Sequence, residues 1–361
     1  MIKIIDKYIM KKYLSTFVFT VAIFCVVIVI FDISEKIDDF NKYGATMTQV
    51  FFEYYALGSL PFFINMLTPL FNFIAVIFFT SKMADQTEIV PILSGGMSFN
   101  RMLRPYMICA GLIFAMTLIS NVYVIPYTNK VKVNFENVYV KPNKVSTTSS
   151  SIHMQVDSNT YVYMGSFDTK SKVGYNFSLE KFDGDKMVEK LMAERVTWDS
   201  VANKWSLHTY TTREINGLKE NMLSGEKRDT TLDMRPMDFE SYENVFTTMD
   251  QDELNERISK EEVRGTGMMN ELLLEKYKRI INPFSAFILT LIGVSLSSKK
   301  VRGGIGLSLG IGIGLSCIYI VLERFSSMFS IKGGLDPLIS VLIPNVIFLL
   351  LSFYLLKKAP K

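Results

Sequence analysis

Few residues of this chain could carry out acid–base, nucleophilic or metal chemistry. The histidines are His153 and His208, and the cysteines are Cys25, Cys109 and Cys317. They form no Cys/His cluster with the spacing of a metal site, and no G-x-x-x-x-G-K-[ST] loop is present to hold a nucleotide phosphate. Both histidines fall in predicted strands, and the cysteines fall in apolar runs. We expect no catalytic residue, no metal and no cofactor, so any energy that the protein uses comes from a partner.

The stretch DQTEIVPILSGG, residues 85–96, combines signals for the two ends of a short helix. Asp85 and Glu88 have the spacing of a capping box, and Thr87 is an alternative N-cap. Gly95 and Gly96 supply the helix end. A helix this short is unstable in isolation, so its apolar side chains must rest on a surface. These side chains are Ile89, Val90, Ile92 and Leu93.

Two interpretations of this helix remain open on the residues alone. In the first, it lies on the membrane surface or against the protein's own spans, where Glu88 complements the helix dipole by about 0.3–1 kcal/mol. In the second, it is a coupling helix that inserts into a groove on a cytoplasmic ATPase. The second interpretation would supply the energy source that the chain itself lacks.

The elements around this helix are predicted to be membrane spans. Six apolar runs approach the roughly 20 residues needed to cross a bilayer. They cover residues 17–33, 58–79, 106–125, 280–296, 303–322 and 338–356. Between the third and fourth runs lies a polar stretch, residues 126–278, of the size of an ordinary soluble domain. We therefore predict a membrane protein with three spans, an inserted domain and three further spans.

Lysine and arginine are concentrated in the loops that fall on one side of these spans. They are Lys3, Lys7, Lys11, Lys12, Lys82, Arg101, Arg104, Lys299, Lys300, Arg302, Lys357, Lys358 and Lys361. Because positively charged loops stay in the cytoplasm, we expect both termini and the 85–96 helix inside and the large domain outside. The formal charge of +4 mostly reflects these residues, so it does not indicate nucleic-acid binding.

The inserted domain is predicted to be all-β and antiparallel over residues 126–248. Short runs rich in aromatic and β-branched residues alternate with turn signals such as Asp183-Gly184. Trp198 and Trp205 flank a second turn. We expect these two side chains to pack in the core of the domain, and binding of an apolar ligand is the alternative. Residues 249–278 then return to a helical pattern, with Thr248 or Asp250 as the N-cap, and link the domain to the fourth span.

Five stretches in this order resemble the YjgP/YjgQ permeases, the lipopolysaccharide export proteins LptF and LptG. They are IDKYIMKKYL, SKMADQTEIVPILSGGMSFNRMLRP, KWSL, INPFSAFILTLIGVSL and IYIVLERF. The resemblance runs nearly from end to end. It implies three plus three transmembrane helices, at residues 1–125 and 279–361, around a periplasmic β-jellyroll-like domain. It also implies a permease subunit of an ATP-driven transporter that extracts lipopolysaccharide from the inner membrane and passes it to a periplasmic bridge toward the outer membrane.

The resemblance also implies partners and a coupling site. The partners are an LptB-like cytoplasmic ATPase dimer, a second LptF/LptG-like permease and an LptC-like periplasmic protein. The ATPase would be contacted by the short helix, here Asp85, Glu88, Ile89, Ile92 and Leu93. The start of the chain, IDKYI, favours the LptG-like partner over the LptF-like one.

Spans one and five form a lateral gate in this family. Here span five carries Gly306, Gly310 and Gly314, a twice-repeated G-x-x-x-G that permits close approach of another helix. Fixed packing of these glycines within the subunit is the alternative.

The outer end of span one departs from the family pattern. LptG-like members tend to be rich in lysine there, whereas this chain has Asp32, Glu35, Asp38 and Asp39 with Lys36 and Lys42. We expect Lys36, Arg279 and Arg324 to bind head-group phosphates instead, with pairing to Glu323 or a neighbouring acid as the alternative for Arg324. The β domain is expected to enclose an apolar track for lipid, with Tyr161 and Tyr163 facing inward.

Two other functions compete with lipopolysaccharide export. A lipoprotein-releasing permease also combines few spans with an outer domain, but usually places that domain after the first of four spans. A membrane scaffold without transport activity would not depend on an ATPase. Recovery of the protein with an ATPase and a second homologous permease separates these functions.

Overall fold

The computed structural model describes residues 3–140, 148–168, 171–200, 202–217, 219–232, 234–236, 245–265, 267–298 and 304–358. The chain forms two compact units, of which the first comprises Met1–Phe135 with Leu273–Lys361 and the second comprises Glu136–Leu272. The loop charges Lys299, Lys300, Arg302 and Lys361 lie outside the described residues.

The regular structure of the first unit is helical throughout its described residues. Along the described chain as a whole, the α-helices are α1 Ile4–Lys42, α2 Met47–Gln49, α3 Leu60–Asp85, α4 Ile89–Ser94, α5 Phe99–Ile119, α6 Ile125–Tyr139, α7 Val245–Thr248, α8 Gln251–Arg264, α9 Met269–Ile281, α10 Ser285–Ser297, α11 Gly304–Gly333 and α12 Pro337–Lys358. Two π-helical segments, Val50–Ser59 and Ser120–Val124, and a 3-10 turn, Asn282–Phe284, join neighbouring helices into longer stretches.

Six helical stretches of the described residues are long and apolar enough to cross a membrane, which confirms the predicted three-plus-three arrangement. Most extend well beyond their apolar runs. The first run covers residues 17–33, yet α1 has 39 residues. Residues 126–139, which we grouped with the outer domain because they are polar, form most of α6. Polar residues end an apolar run without ending the helix, because main-chain hydrogen bonding continues through them.

The core of the first unit contains a buried polar network that joins three helices. Tyr13 of α1 donates a hydrogen bond to Asn72 Oδ1 of α3. Asn72 Nδ2 donates to the Ala286 carbonyl and to Thr290 Oγ1 of α10, each at 3.1 Å. In a bilayer, polar groups away from water must be satisfied within the protein. The network therefore fixes the first half of α1 against α3 and α10.

The described residues of the second unit include one antiparallel sheet of six strands. They are β1 Thr148–Asp157, β2 Thr160–Asp168, β3 Val173–Asp183, β4 Lys186–Asp199, β5 Lys204–Asn216 and β6 Lys219–Thr230. The strands pair in sequential order. The prediction of an antiparallel β domain is confirmed, and the described strands follow a meander where a jelly roll would have the crossed order of a Greek key.

A line of irregular pairing crosses this sheet. In β2 the buried side chains are Thr160, Val162 and Met164 on one side of this line and Phe167 on the other, so the alternation of buried and exposed residues slips by one residue. In β3 and β5 the slip falls at Asn176 and Thr209, which have positive φ angles of 55° and 53°. Irregularities of this kind bend strands and re-aim side chains. The slip keeps the apolar residues on one face along the whole length of the strands.

The core of the sheet is centred on Trp205, which is fully buried. Its Nε1 donates a 3.0 Å hydrogen bond to the Met234 carbonyl, and its ring lies 5.1 Å from that of Trp198. These contacts support packing as the role of the two tryptophans.

The helical pattern after the sheet is confirmed, and Asp250 is the N-cap of α8. Asp250 Oδ1 accepts from the main-chain N–H of Glu253 at 2.8 Å, and Glu253 Oε2 accepts from that of Asp250 at 3.1 Å. The helix ends at Gly265, which has a left-handed φ of 58°. Of the two N-caps considered, Thr248 and Asp250, the second is therefore the one that begins this helix.

Candidate functional site

The short helix α4 lies between two tight turns. Thr87 before it has a φ of 58°, and Gly96 after it has a φ of 84°. The helix end at Gly95 and Gly96 agrees with the prediction. Positive φ is unusual for a β-branched residue such as Thr87, because the side chain crowds the backbone. These two turns set α4 apart from the helices on either side.

One face of α4 rests on the protein's own core. Ile89 is 2% exposed, and Ile92 and Leu93 pack against the same cluster of buried residues. The opposite face carries Val90, which is 64% exposed, and the exposed Pro91. The apolar face of α4 thus packs against the protein's own spans, as in the first interpretation. A separate face of the helix remains exposed.

The predicted capping box at the start of α4 is not formed. Asp85 is the last residue of α3, and Glu88 is the N-cap of α4 without a capping side-chain hydrogen bond. The helix α3 continues three residues past Lys82 because nothing in its sequence interrupts it there. The Glu88 carboxylate instead accepts a 2.9 Å hydrogen bond from the Tyr8 hydroxyl of α1.

A second contact joins the start of α1 to the start of α5. Arg101 Nη1 and Nη2 donate to the two carboxylate oxygens of Asp6, at 2.8 Å and 2.5 Å. Asp6 also caps α1, because its Oδ2 accepts from the Lys3 main-chain N–H at 2.8 Å. Sequence reasoning used Arg101 only as a loop charge and did not single out Asp6 or Tyr8. The signal that could have drawn attention to them is the IDKYI stretch at the start of the chain.

The glycines of α11 lie on two different faces. Gly306, Gly310 and Gly314 are exposed, and a Cβ added to any of them meets no described atom within 4 Å. Gly312 is buried, and a Cβ there would overlap the Ile77 side chain of α3. The predicted G-x-x-x-G face therefore does not pack against the described part of the subunit, while a glycine that we did not single out does.

The middle of α1 is also exposed. Its buried residues stop at Thr20 and resume at Phe40. Val26 and Phe31, which lie between them, are 60% and 73% exposed. Both helices assigned to a gate by family resemblance thus present a face without contacts inside the described part of the subunit.

The three cations expected to bind phosphate lie in different surroundings. Lys36 Nζ lies 2.9 Å from Asp32 and donates to the Tyr54 hydroxyl. Arg279 is buried and paired with Glu275 at 3.0 Å. These contacts satisfy charge inside the protein.

Arg324 differs, because its side chain is exposed and its guanidinium contacts the sulfur of Met66 at 3.2 Å. Glu323, considered as its partner, instead accepts from Asn282 at 2.9 Å and lies 4.0 Å from Lys278. Of the three expected cations, Arg324 is therefore the one whose charge faces outward.

The second face of the sheet carries a groove. Tyr161 and Tyr163, expected to face inward, alternate with the buried Val162 and so point to the face opposite the core. There they line a groove of ≈ 810 Å³ together with Met192 and the ion pair between Glu180 and Lys190. The two tyrosines thus line a groove, as expected of a track for lipid, but this groove lies on the face of the sheet opposite its packed core.

No group of histidine, cysteine and carboxylate side chains that could hold a metal ion occurs among the described residues. His153 and His208 lie in β1 and β5, as predicted. Burial, together with the charges of Arg195 and Lys227, lowers the pKa of His208. Its imidazole is therefore neutral near pH 7, and its Nε2 lies 3.0 Å from the Thr197 hydroxyl.

The chain matches the sequence model of the lipopolysaccharide export system permease LptF/LptG over residues 7–358. A comparison with curated proteins finds no match. The family match includes all six helical stretches, the sheet between them and the α4 segment. This chain therefore belongs to the LptF/LptG family of lipopolysaccharide export permeases and is a multi-pass protein of the bacterial inner membrane.

Proposed function

We propose that this permease is driven by an LptB-like cytoplasmic ATPase dimer that docks on α4. The observation that carries the proposal is the two-sided arrangement of α4. Ile89 anchors the helix to the core, which leaves Val90 and Pro91 exposed for a partner and Glu88 partly exposed beside them. Ile89 thus has a supporting role, and Ile92 and Leu93 contribute their exposed edges.

The charge pattern supports a cytoplasmic position for α4. Lys82, Arg101 and Arg104 surround it in sequence. By the positive-inside rule this end of the first unit faces the cytoplasm, together with both chain ends, and the sheet lies in the periplasm. The ATPase would then approach α4 from the side where ATP is available.

The exposed glycine face of α11 and the exposed middle of α1 are proposed as the lateral gate. Glycine lets helix backbones approach closely, and removal of that contact exposes little apolar surface. A second LptF/LptG-like permease would supply the opposing helices. Lipopolysaccharide would enter between the two subunits, with Arg324 at the anionic head group.

The groove on the sheet is the proposed path for lipid beyond the membrane. Its volume falls within the range of sites that hold small ligands and would take part of a lipid at a time. Aromatic and apolar side chains there suit acyl chains, and the ion pair between Glu180 and Lys190 suits a polar head group. An LptC-like protein would then receive the lipid. The lipoprotein-releasing alternative and the scaffold alternative have no support in the matched family.

Exchange of Glu88 for Lys tests the docking site. We expect the variant permease to reach the membrane normally. Less ATPase should co-purify with it, or its complex should hydrolyse ATP without exporting lipid. The matched control is Glu53→Lys, the same charge change at an exposed position at the other end of the α2–α3 stretch. Normal recovery of the ATPase together with normal export by Glu88→Lys would refute the docking site.

A further inference from the structure

Two side-chain contacts join the first turns of α1 to the two ends of the α4 segment, defined here as Glu88–Arg101, which comprises α4, the turn after it and the first turn of α5. Tyr8 reaches Glu88 at the start of α4, and Asp6 holds Arg101 in the first turn of α5. Tyr8 and Asp6 are only two residues apart in the chain, whereas Glu88 and Arg101 are separated by the whole of α4. The start of α1 thus spans the α4 segment as a strap, defined here by Asp6, Tyr8, Glu88 and Arg101.

The apolar contacts below the strap strengthen this connection. Ile9 of α1 and Ile89 of α4 are both buried in one cluster of core residues. Closely packed side chains transmit displacement because the interior has little free volume. The main-chain routes out of α4 run through the turns at Thr87 and Gly96, which interrupt helical continuity. The Tyr8–Glu88 contact therefore bypasses both turns, whereas the Asp6–Arg101 pair fixes α1 beyond the turn at Gly96.

The shape of α1 determines where a displacement at the strap would appear. This helix is continuous over 39 residues. Its rise of about 1.5 Å per residue places the exposed Phe31 roughly 35 Å along the axis from Tyr8. Between Thr20 and Phe40 no side chain of α1 is buried by the described part of the chain. The side chains of this stretch that meet the core, such as Phe24 and Ile28, are only partly buried. A small tilt at the strap would thus displace the middle of α1 at the cost of these partial contacts alone.

We infer that the strap is the direct mechanical link from α4 to α1, with Tyr8 and Asp6 as positioning residues that convert movement of α4 into movement of the gate helix. This inference rests on the proposed function, because it takes α4 as the place where the ATPase acts. It adds that α1 is moved by its own side-chain contacts with the α4 segment. The Tyr8 hydroxyl and the Asp6 carboxylate are then needed for coupling and dispensable for docking.

The substitution Tyr8→Phe tests the hydroxyl in the complete permease–ATPase complex, reconstituted in liposomes that contain lipopolysaccharide. We expect normal ATPase recovery and continued ATP hydrolysis, with at least a fivefold loss of lipopolysaccharide extracted per ATP hydrolysed. The matched control is Tyr127→Phe, which removes an exposed hydroxyl from α6. Extraction per ATP equal to that of the unchanged protein would overturn the role of Tyr8.

The ion pair is tested by charge reversal. Asp6→Arg and Arg101→Asp should each lower extraction per ATP, and the double variant should restore it, because the pair can form again with its charges exchanged. Failure of the double variant to improve on either single variant, at equal abundance in the membrane, would overturn the role of the pair.

These experiments can refute the docking site and the strap separately. Suppose that Glu88→Lys loses the ATPase while Tyr8→Phe and the charge-reversal variants extract lipopolysaccharide normally. Then α4 is the docking site, but the strap does not transmit its movement to α1. If Glu88→Lys keeps the ATPase and exports normally, docking on α4 is refuted before the strap is considered.

Discussion

Gly312 of α11 lies directly against the side chain of Ile77 in α3. Two residues earlier, a methyl group added to the Cα of Gly310 would have no described neighbour within 4 Å. Successive residues of an α-helix are about 100° apart, so positions two apart point to nearly opposite sides. One helix thus uses glycine for two purposes: a fixed contact inside the subunit and an open face outside it.

Leucine at these two positions should have opposite effects. Gly312→Leu should lower the stability and abundance of the permease, since overpacking a core costs about 1–3 kcal/mol. Gly310→Leu should leave abundance near normal and reduce lipopolysaccharide export, because the added side chain separates α11 from the opposing helix. Membrane abundance and export measured on the same cells distinguish the two effects.

Paired cysteines test whether the open face moves. One is placed near Gly310 and the other on the first span of the partner permease, in a background without Cys25, Cys109 and Cys317. We expect the crosslink to form in one nucleotide state and not in the other. An equal yield in every nucleotide state would exclude a moving gate.

Arg324 should contribute to head-group binding more than Arg279 does. Arg324→Gln removes an exposed charge, so we expect normal abundance and roughly tenfold weaker capture of lipopolysaccharide, as for the loss of one charge-assisted hydrogen bond. Arg279→Gln breaks a buried pair with Glu275 and should lower abundance, at a cost of about 3 kcal/mol. Lipid capture normalised to the amount of permease separates binding from folding. Equal lipid capture by Arg324→Gln and the unchanged protein would contradict a head-group role.

A photo-crosslinker should capture lipopolysaccharide from the groove of the sheet. Tyr161 and Tyr175 are matched for this experiment, since they are 45% and 47% exposed but only Tyr161 lines the groove. We expect ATP-dependent crosslinks to lipid from position 161 and none from position 175. Crosslinks from both positions, or to protein partners alone, would make this face a docking surface.

Trp205 should be the main stabilising residue of the sheet. Trp205→Phe removes ring contacts and leaves the Met234 carbonyl without its donor, for which we expect a loss of about 1–3 kcal/mol in the free energy of unfolding. Trp198→Phe is the control, because Trp198 is only half-buried. Limited proteolysis of the full-length protein should cleave the sheet faster in the Trp205 variant. Equal protection of the two variants would contradict this assignment.

Several parts of the fold could be predicted because their signals are local. The six spans follow from the lengths of apolar runs, and the antiparallel sheet follows from alternation and from turns such as Asp183-Gly184. The start of α8 follows from Asp250, one of the two N-caps considered. Each signal lies within a few residues of the element that it defines, so one sequence is sufficient to recognise it.

The failures have equally specific causes. The capping box of Asp85 and Glu88 had the right spacing, but α3 extends through Asp85 and leaves Glu88 to bind Tyr8. Tyr161 and Tyr163 were expected to face the inside of an enclosed track, whereas they lie on the face of β2 opposite the packed core. Alternation alone defines two faces of a strand but does not state which of them meets the core.

The sequence by itself determined the number of membrane spans, the place of the inserted β unit and the place of the short helix between two spans. Hydrophobicity and capping act over short distances along the chain, so one sequence is enough to recognise them. Only the tertiary structure decided which faces remain open. Glu88 meets Tyr8 across 80 positions of sequence, and Gly312 rather than Gly310 meets α3. Such pairings depend on how helices pack in three dimensions, and G-x-x-x-G has the same spacing whether its face is buried or exposed.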